Sequence, residues 1–362
     1  MDHRTSQQTI VSGRLRTVRI DIAGASPIGS SSIIGERLGG SRHGPRTYRV
    51  GDMHRQADAW QHEVFMTVDS DIPTRQDNQQ ALDDLVALLD LETIEVNIFR
   101  GASTDEDRVR VFGGQVAGQA LIAAGRTIDE PDRHVHSLHA YFLRPGDPKL
   151  PILYEVDRIR DGRSFSTRRV VAIQHGRAIF NLQASFHDDE PGGPDHQITM
   201  DEGLAPPTEL PDFHTRMAPH RERIGDWYHR PRPIDLRYVD GDPMSRQGEL
   251  NTAQHVWIRA NGSLPDDPLL NACILTYASD MTLLDTTLLP FGLPFDHPGL
   301  QMASLDHAMW FHRPFRVEDW LMYQQRAIST GASRGLAGGA IFTSDGALAV
   351  SVVQEGLARF TQ

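Results

Sequence analysis

The sequence predicts an α+β fold built from one unit used twice. Strand-like segments rich in β-branched and aromatic residues follow one another in two long runs without intervening helices. A helical stretch of small or apolar residues precedes each run. The two runs also align with each other. HSLHAYFLRPGD (136–147) matches DHAMWFHRPF (306–315) with Arg144 on Arg313, an offset of 169, and QHGRAIFNLQASF (174–186) matches SDGALAVSVVQEG (344–356) with Gly176 on Gly346, an offset of 170.

Taken in order, residues 1–65 come first and differ from the rest. Arginines outnumber acids there, Gly and Ser cluster at 23–44, and neither a period of 2 nor one of 3.6 is sustained. Such a stretch cannot bury enough apolar surface to offset its ordering entropy. An N-terminal extension over 1–75 is therefore expected to be disordered. Its Arg and Ser content is that of a transit peptide, against which its acids weigh; a start codon assigned too far upstream of Met66 accounts for it equally. Leu82, Leu85, Val86, Leu88 and Leu89 recur at helical spacing over 81–91. VFGGQVAGQALIAAGRTI (111–128) reads as a helix whose glycines and alanines let its backbone approach a sheet closely. Strands are expected over 136–143, 152–160, 164–175 and 178–187, with turns at 144–147, 161–162 and 175–176. Residues 188–232, dense in Pro, Gly and Asp, read as a linker holding one short helix. Strand signals resume at 234–239 and 255–259, a long apolar helix follows near 269–289, and three further strand regions occupy 301–313, 320–329 and 334–359. The expected organisation is thus an extension (1–75), a first unit (76–190), a linker (191–232) and a second unit (233–362).

The 362 residues carry a net charge of −12, which argues against a general nucleic-acid binder. No stretch is long and apolar enough to span a bilayer. Cys273 is the only cysteine, which excludes an intrachain disulfide and any multi-cysteine metal site and fits a cytoplasmic setting. His134, His136 and His139 lack a Cys or paired carboxylate to complete a metal site, and no G-x-G-x-x-G follows a strand, so neither a metal nor a dinucleotide cofactor is implied.

One motif misleads. GASRG (331–335) fits the G-x-S-x-G nucleophile elbow. An elbow needs a helix after it and a later histidine; here a strand-like LAGGAIF follows, and no histidine occurs beyond His312. A glycine-rich strand start is the better reading. Asp280 stands out more. It lies in the nearly apolar ACILTYASDMTLL (272–284), where a carboxylate costs free energy unless it is hydrogen-bonded or functional. Burial there should raise its pKa and make it a better general base near neutrality; a helix cap or a satisfied buried acid explains it equally. Gln354 shares a strand face with Leu348, Val350 and Val352, where an amide must find partners. Ser304, in QMASLDH (301–307), carries little weight alone.

Together FRGAS (99–103), RVFGGQVAGQAL (110–121), VHSLHAYFLRPGD (135–147), RDGRSFSTRRV (160–170), VWIRANGSLPDD (256–267), YASDMTLL (277–284), DHAMWFHRPF (306–315) and VQEGLAR (353–359) resemble the type II acyl-CoA thioesterase family, the bacterial TesB type and its peroxisomal relatives. The resemblance runs from about residue 81 to the C-terminus. It implies a tandem double hotdog, each unit a long helix wrapped by an antiparallel sheet, in a homo-oligomer acting on acyl-CoA without a cofactor. It places the family's catalytic aspartate on Asp280 and its glutamine on Gln354, with Ser304 in place of its threonine. It also puts substrate-side positions at Gly113, Gly114 and His136. The reaction implied is hydrolysis by a water held among Asp280, Ser304 and Gln354. A non-catalytic acyl-CoA binder is one alternative. A hotdog enoyl-CoA hydratase is another, but it needs an Asp–His dyad that the Asp280 segment lacks.

Overall fold

The computed structural model describes residues 72–103, 109–190, 192–246 and 252–360. The extension expected over 1–75 lies outside the described residues as far as residue 71. Helix α1 (Arg75–Leu89) begins earlier than its apolar period implies. Thr74 and Asp77 form a capping box, Thr74 N–H donating to Asp77 Oδ2 (2.7 Å) and Asp77 N–H to Thr74 Oγ1 (3.2 Å), and so satisfy donors that would otherwise be left over. Two short strands, β1 (Glu92–Glu95) and β2 (Ile98–Gly101), follow it. Neither was expected; β1 is exposed throughout and has no buried face to impose a period. Helix α2 (Gly113–Gly125) then precedes β3 (Arg133–Phe142), β4 (Ile152–Asp161), β5 (Phe165–Gln174) and β6 (Arg177–Asp188), close to the expected spans.

The stretch expected as a linker holds more than one short helix: α3 (Phe213–Met217), α4 (Arg221–Ile224) and three 3-10 turns. It is also packed, with Trp257 Nε1 donating to Ala205 O (2.9 Å) and Met200, Leu204 and Leu210 lying on Trp257, Met322 and Phe342. Beyond it come β7 (Ile234–Tyr238), β8 (Ala253–Ala260) and helix α5 (Pro268–Ser279). The long helix expected to 289 ends ten residues sooner, with Asp280 as its C-cap and a separate 3-10 segment over Leu284–Phe291. The apolar composition continues past the break, so hydrophobicity alone could not reveal it. The remaining strands are β9 (Leu300–Ser304), β10 (Asp306–Phe311), β11 (Leu321–Gly331), β12 (Arg334–Thr343) and β13 (Leu348–Phe360).

The thirteen strands of the described residues form one antiparallel sheet in the order β1-β2-β4-β5-β6-β3-β10-β13-β12-β11-β8-β7, with β9 also paired to β13. The two halves meet at β3 and β10, where His139 faces Ala308. These two positions are the ones that the 169-residue offset equates. An antiparallel pair whose equivalent residues face each other lies on a local two-fold axis. The irregularities repeat as well. The register shifts at Arg158/Arg160 and Ala172/Ile173 recur at Ala327/Ser329 and Ile341/Phe342, each 169 residues on.

The sheet wraps α2 and α5, whose apolar residues fill the core. The two helices run antiparallel in direct contact. A Cβ on Gly114 would stand 2.5 Å from the Tyr277 carbonyl oxygen, and one on Gly118 would stand 3.2 Å from that of Cys273. The glycines expected to let α2 approach a sheet therefore serve its approach to the second helix. GASRG is a hairpin turn. Gly331 pairs with Arg334, and Ala332 and Ser333 form the two-residue loop with φ of 50° and 57°.

Candidate active site

Three elements bring Asp280, Ser304 and Gln354 together. Asp280 sits where α5 stops, at the C-cap. Gln354 lies on the inward face of β13, fully buried in line with Val350 and Val352, as its period of 2 implies. Ser304 needs an irregularity to reach them. Gly356 of β13 faces Ser304, while Val353 faces Ala308, so three steps on one strand span four on the other. The extra residue is a bulge at Leu305, whose N–H donates to Glu355 O (2.9 Å). A bulge reverses the alternation of side chains. Without it Ser304 would share the face of Ala308; with it Ser304 lies opposite Gly356 on the face of Gln354.

The resulting geometry is closed. Ser304 Oγ donates to Asp280 Oδ1 (3.2 Å), and Gln354 Nε2 donates to Asp280 Oδ1 (2.5 Å) and to Ser304 Oγ (3.0 Å). With its amide nitrogen so committed, Gln354 Oε1 is buried and has no partner among the described residues. Helix α2 begins against the same carboxylate. Gly114 N–H donates to Asp280, and a Cβ on Gly113 would stand 2.8 Å from Asp280 Oδ2 and 2.7 Å from the Phe142 ring. The N-cap residue Phe112 supplies no side-chain cap, so apart from Gly114 N–H, which donates to Asp280, the first amides of α2 point at the site with the positive end of the helix dipole behind them. Burial raises the Asp280 pKa to about 6, although the hydrogen bonds from Gln354, Ser304 and Gly114 and the charge of Arg110 favour the ionised form.

Of the substrate-side positions, Gly113 and Gly114 adjoin Asp280 and His136 does not. Phe142 is the β3 residue beside Gly113, and His136 is six strand positions away from it, about 20 Å. His136 Nε2 instead lies 2.8 Å from Ser185 Oγ, and the ring lines a different cavity. Two residues near the site escaped the sequence reading. Arg110 Nη2 donates to Met302 O (2.8 Å), joining the approach to α2 to β9. His307, fully enclosed, has Nε2 2.9 Å from the Oγ of Ser279, the residue before Asp280; burial lowers its pKa to about 4. The only available signal for His307 was its place on the inward face of β10.

Comparison with known proteins agrees with the fold and the motifs. A family model described as acyl-CoA thioesterase matches residues 235–357, and one described as acyl-CoA thioesterase N-terminal domain matches residues 103–187. Human acyl-coenzyme A thioesterase 8 is 41% identical over 286 residues, covering 76% of this chain and 88% of the relative. Acyl-CoA thioesterase 2 of Haemophilus influenzae is 39% identical over 285 residues, covering 78% of this chain and 99% of its own. The chain belongs to the type II acyl-CoA thioesterase family. Among solved structures of this family, the acyl-CoA thioesterase II TesB2 of Mycobacterium marinum superposes with a TM-score of 0.63 at 43% identity, covering 77% of this chain and 99% of that one. A hot dog fold protein from Alicyclobacillus acidocaldarius, only 18% identical, superposes with a TM-score of 0.62, which shows the fold alone. The family member described above is thus a tandem double hotdog of α+β class.

Proposed function

We propose that this chain hydrolyses fatty acyl-CoA to a free fatty acid and CoA, with Asp280 as general base and Ser304 and Gln354 as the groups that hold the water. One observation carries the reading: a carboxylate with a pKa of about 6 on which a hydroxyl, a side-chain amide and a helix N-terminus converge. At neutral pH such a group is mostly ionised yet basic enough to take a proton. The water donates one hydrogen to Asp280 and the other to Gln354 Oε1, which has no partner among the described residues. Its oxygen attacks the thioester carbon, and the first amides of α2 receive the developing oxyanion. The C–S bond then breaks, and the proton held by Asp280 passes to the departing thiolate. Gly113 serves by its lack of a side chain, since any Cβ there would press on Asp280. His136 takes no part in this step. An enoyl-CoA hydratase is disfavoured because, among the described residues, no histidine hydrogen-bonds Asp280.

The same reading places the protein in the cytoplasm as a homo-oligomer. Its single cysteine is free and buried, and Tyr141 and Leu143 leave apolar surface open where the halves join. No helix among the described residues is long and apolar enough to cross a membrane. The functional test is release of free CoA thiol from palmitoyl-CoA by wild type, Ser304→Thr and Ser304→Ala. Wild type and Ser304→Thr should turn over at similar rates, with Ser304→Ala lower by about tenfold or more, the loss of one orienting hydrogen bond. No thiol release by wild type would refute the hydrolytic reading; equal rates for Ala and Ser would remove the hydroxyl from it.

A further inference from the structure

The local two-fold axis at His139 and Ala308 requires a counterpart of the Asp280 site, formed where the N-terminus of α5 meets the C-terminus of α2. The structure has a cavity of about 890 Å³ at that place, within the range of ligand pockets. Its lining contains the equivalents of the active-site residues. Val135 stands for Ser304, Phe186 for Gly356 and Phe311 for Phe142, each at the repeat offset, and Pro268 and Leu269 stand for Gly113 and Gly114 at the helix start. Even the bulge recurs, with the register shift between Val135 and Ser137 centred on His136, the equivalent of Leu305. That explains why His136 faces this cavity.

Every group that carries the chemistry has been replaced. Gln354 corresponds to Ala184 and Ser304 to Val135. The C-cap position held by Asp280 is held by Arg126, whose guanidinium turns away to Leu91 O and Asp90. The start of α5 is also closed: its N-cap Asp267 accepts from Leu269 N–H (2.9 Å) and Leu270 N–H (3.1 Å), where the N-cap Phe112 of α2 supplies no side-chain cap. The equivalents of Asp280, Ser304 and Gln354 are therefore missing, and the amides that open α5 are already taken.

Charge defines what such a cavity can hold. Its three arginines are already matched, Arg133 by Asp188 (2.7 Å), Arg313 by Asp195 (2.5 Å) and Arg316 by Asp266 (2.8 Å). Asp189 on the rim has no partner among the described residues, so a carboxylate or phosphate head meets net repulsion. Burial holds His136 and His312 toward their neutral forms, which leaves uncharged imidazoles to exchange hydrogen bonds. We infer that this cavity is a disarmed counterpart of the Asp280 site, retained as a binding site for the apolar chain of a lipid with an uncharged, hydrogen-bonding head. The inference stands independently of the hydrolytic reading.

Titration calorimetry with 1-decanol and with decanoate tests it on the full chain. Wild type should bind decanol at least about tenfold more tightly than decanoate, Ile128→Trp, at a position that lines the cavity, should weaken decanol binding by about tenfold by filling it, and Asp189→Arg should narrow the decanol–decanoate difference. Unfolding midpoints show whether each variant is folded. Asp189 is exposed, so that arm stays decisive if Ile128→Trp does not fold. Decanol binding that a folded Ile128→Trp leaves unchanged, a decanol–decanoate ratio insensitive to Asp189→Arg, or decanoate binding as tightly as decanol at a site that Ile128→Trp weakens would overturn the inference.

Discussion

Asp280 sits where its ionised form is costly, and that cost has two consequences. The first is chemical: a carboxylate with a pKa of about 6 is a far better base than one at the ordinary 3.8. The second is a cost in stability. The folded protein binds the proton more tightly than the unfolded chain, so protonation favours the fold. The penalty is absent below the unfolded pKa near 3.8, grows as pH rises to about 6, and stays constant above that. Asp280→Asn should therefore raise unfolding free energy at pH 7.5 by on the order of 1–2 kcal/mol, a gain that disappears toward pH 4. Urea unfolding at both pH values measures this; a variant no more stable than wild type at pH 7.5 would show that the carboxylate is not strained there. The raised pKa was legible in the sequence, because an acid in an apolar stretch has few ways to be comfortable. The partners were less so. Gln354 declared an inward face through its alternation with Val350 and Val352, but Ser304 reaches the site only through the bulge at Leu305, which leaves no mark on composition.

At the scale of elements, turns and helix ends decided where the sequence reading succeeded. His175 and Gly176 close the β5–β6 hairpin with φ of 50° and 67°, as their residue types suggest. Ala332 and Ser333 close the β11–β12 hairpin in the same left-handed region, although neither residue favours it. That is why the segment imitates a nucleophile elbow: the glycines flank the turn and do not occupy it. Replacing both, Ala332→Asn with Ser333→Gly, should stabilise the fold by about 1 kcal/mol. It should leave thioester hydrolysis unchanged, since the Ser333 hydroxyl has no chemical role. Thermal unfolding and thiol release check the pair, and loss of activity would restore Ser333 as a candidate nucleophile. The apolar residues of helix α5 do not stop at Asp280, so composition alone extends the helix to 289. What stops it is the turn that presents the carboxylate to β13 and to α2.

For the whole molecule, duplication was the most legible property and its asymmetry the least. Two matched landmarks were enough to expect two units, and the strand register then placed the axis between them at His139 and Ala308. The two equivalent places differ in Gln354 against Ala184 and in an N-cap Phe112 against an N-cap Asp267, differences of a few residues. Residues 1–71 lie outside the described part, and the matching family models begin at residue 103. Their lack of apolar period predicts that deleting them leaves the unfolding midpoint and kcat/KM nearly unchanged. A large fall in either would mean that this segment packs on the double hotdog or shapes the approach to Asp280.

The assignment of Asp280 as the base is tested most directly by the pH dependence of kcat/KM for palmitoyl-CoA, measured on wild type and on Asp280→Asn. Wild type should lose activity as pH falls through about 6, where the carboxylate takes up its proton. Asp280→Asn should be at least about 100-fold slower at every pH above that, the lower end of what a general base contributes. A folded Asp280→Asn protein turning over at near wild-type rate, or a wild-type acid limb near pH 4, would contradict the account.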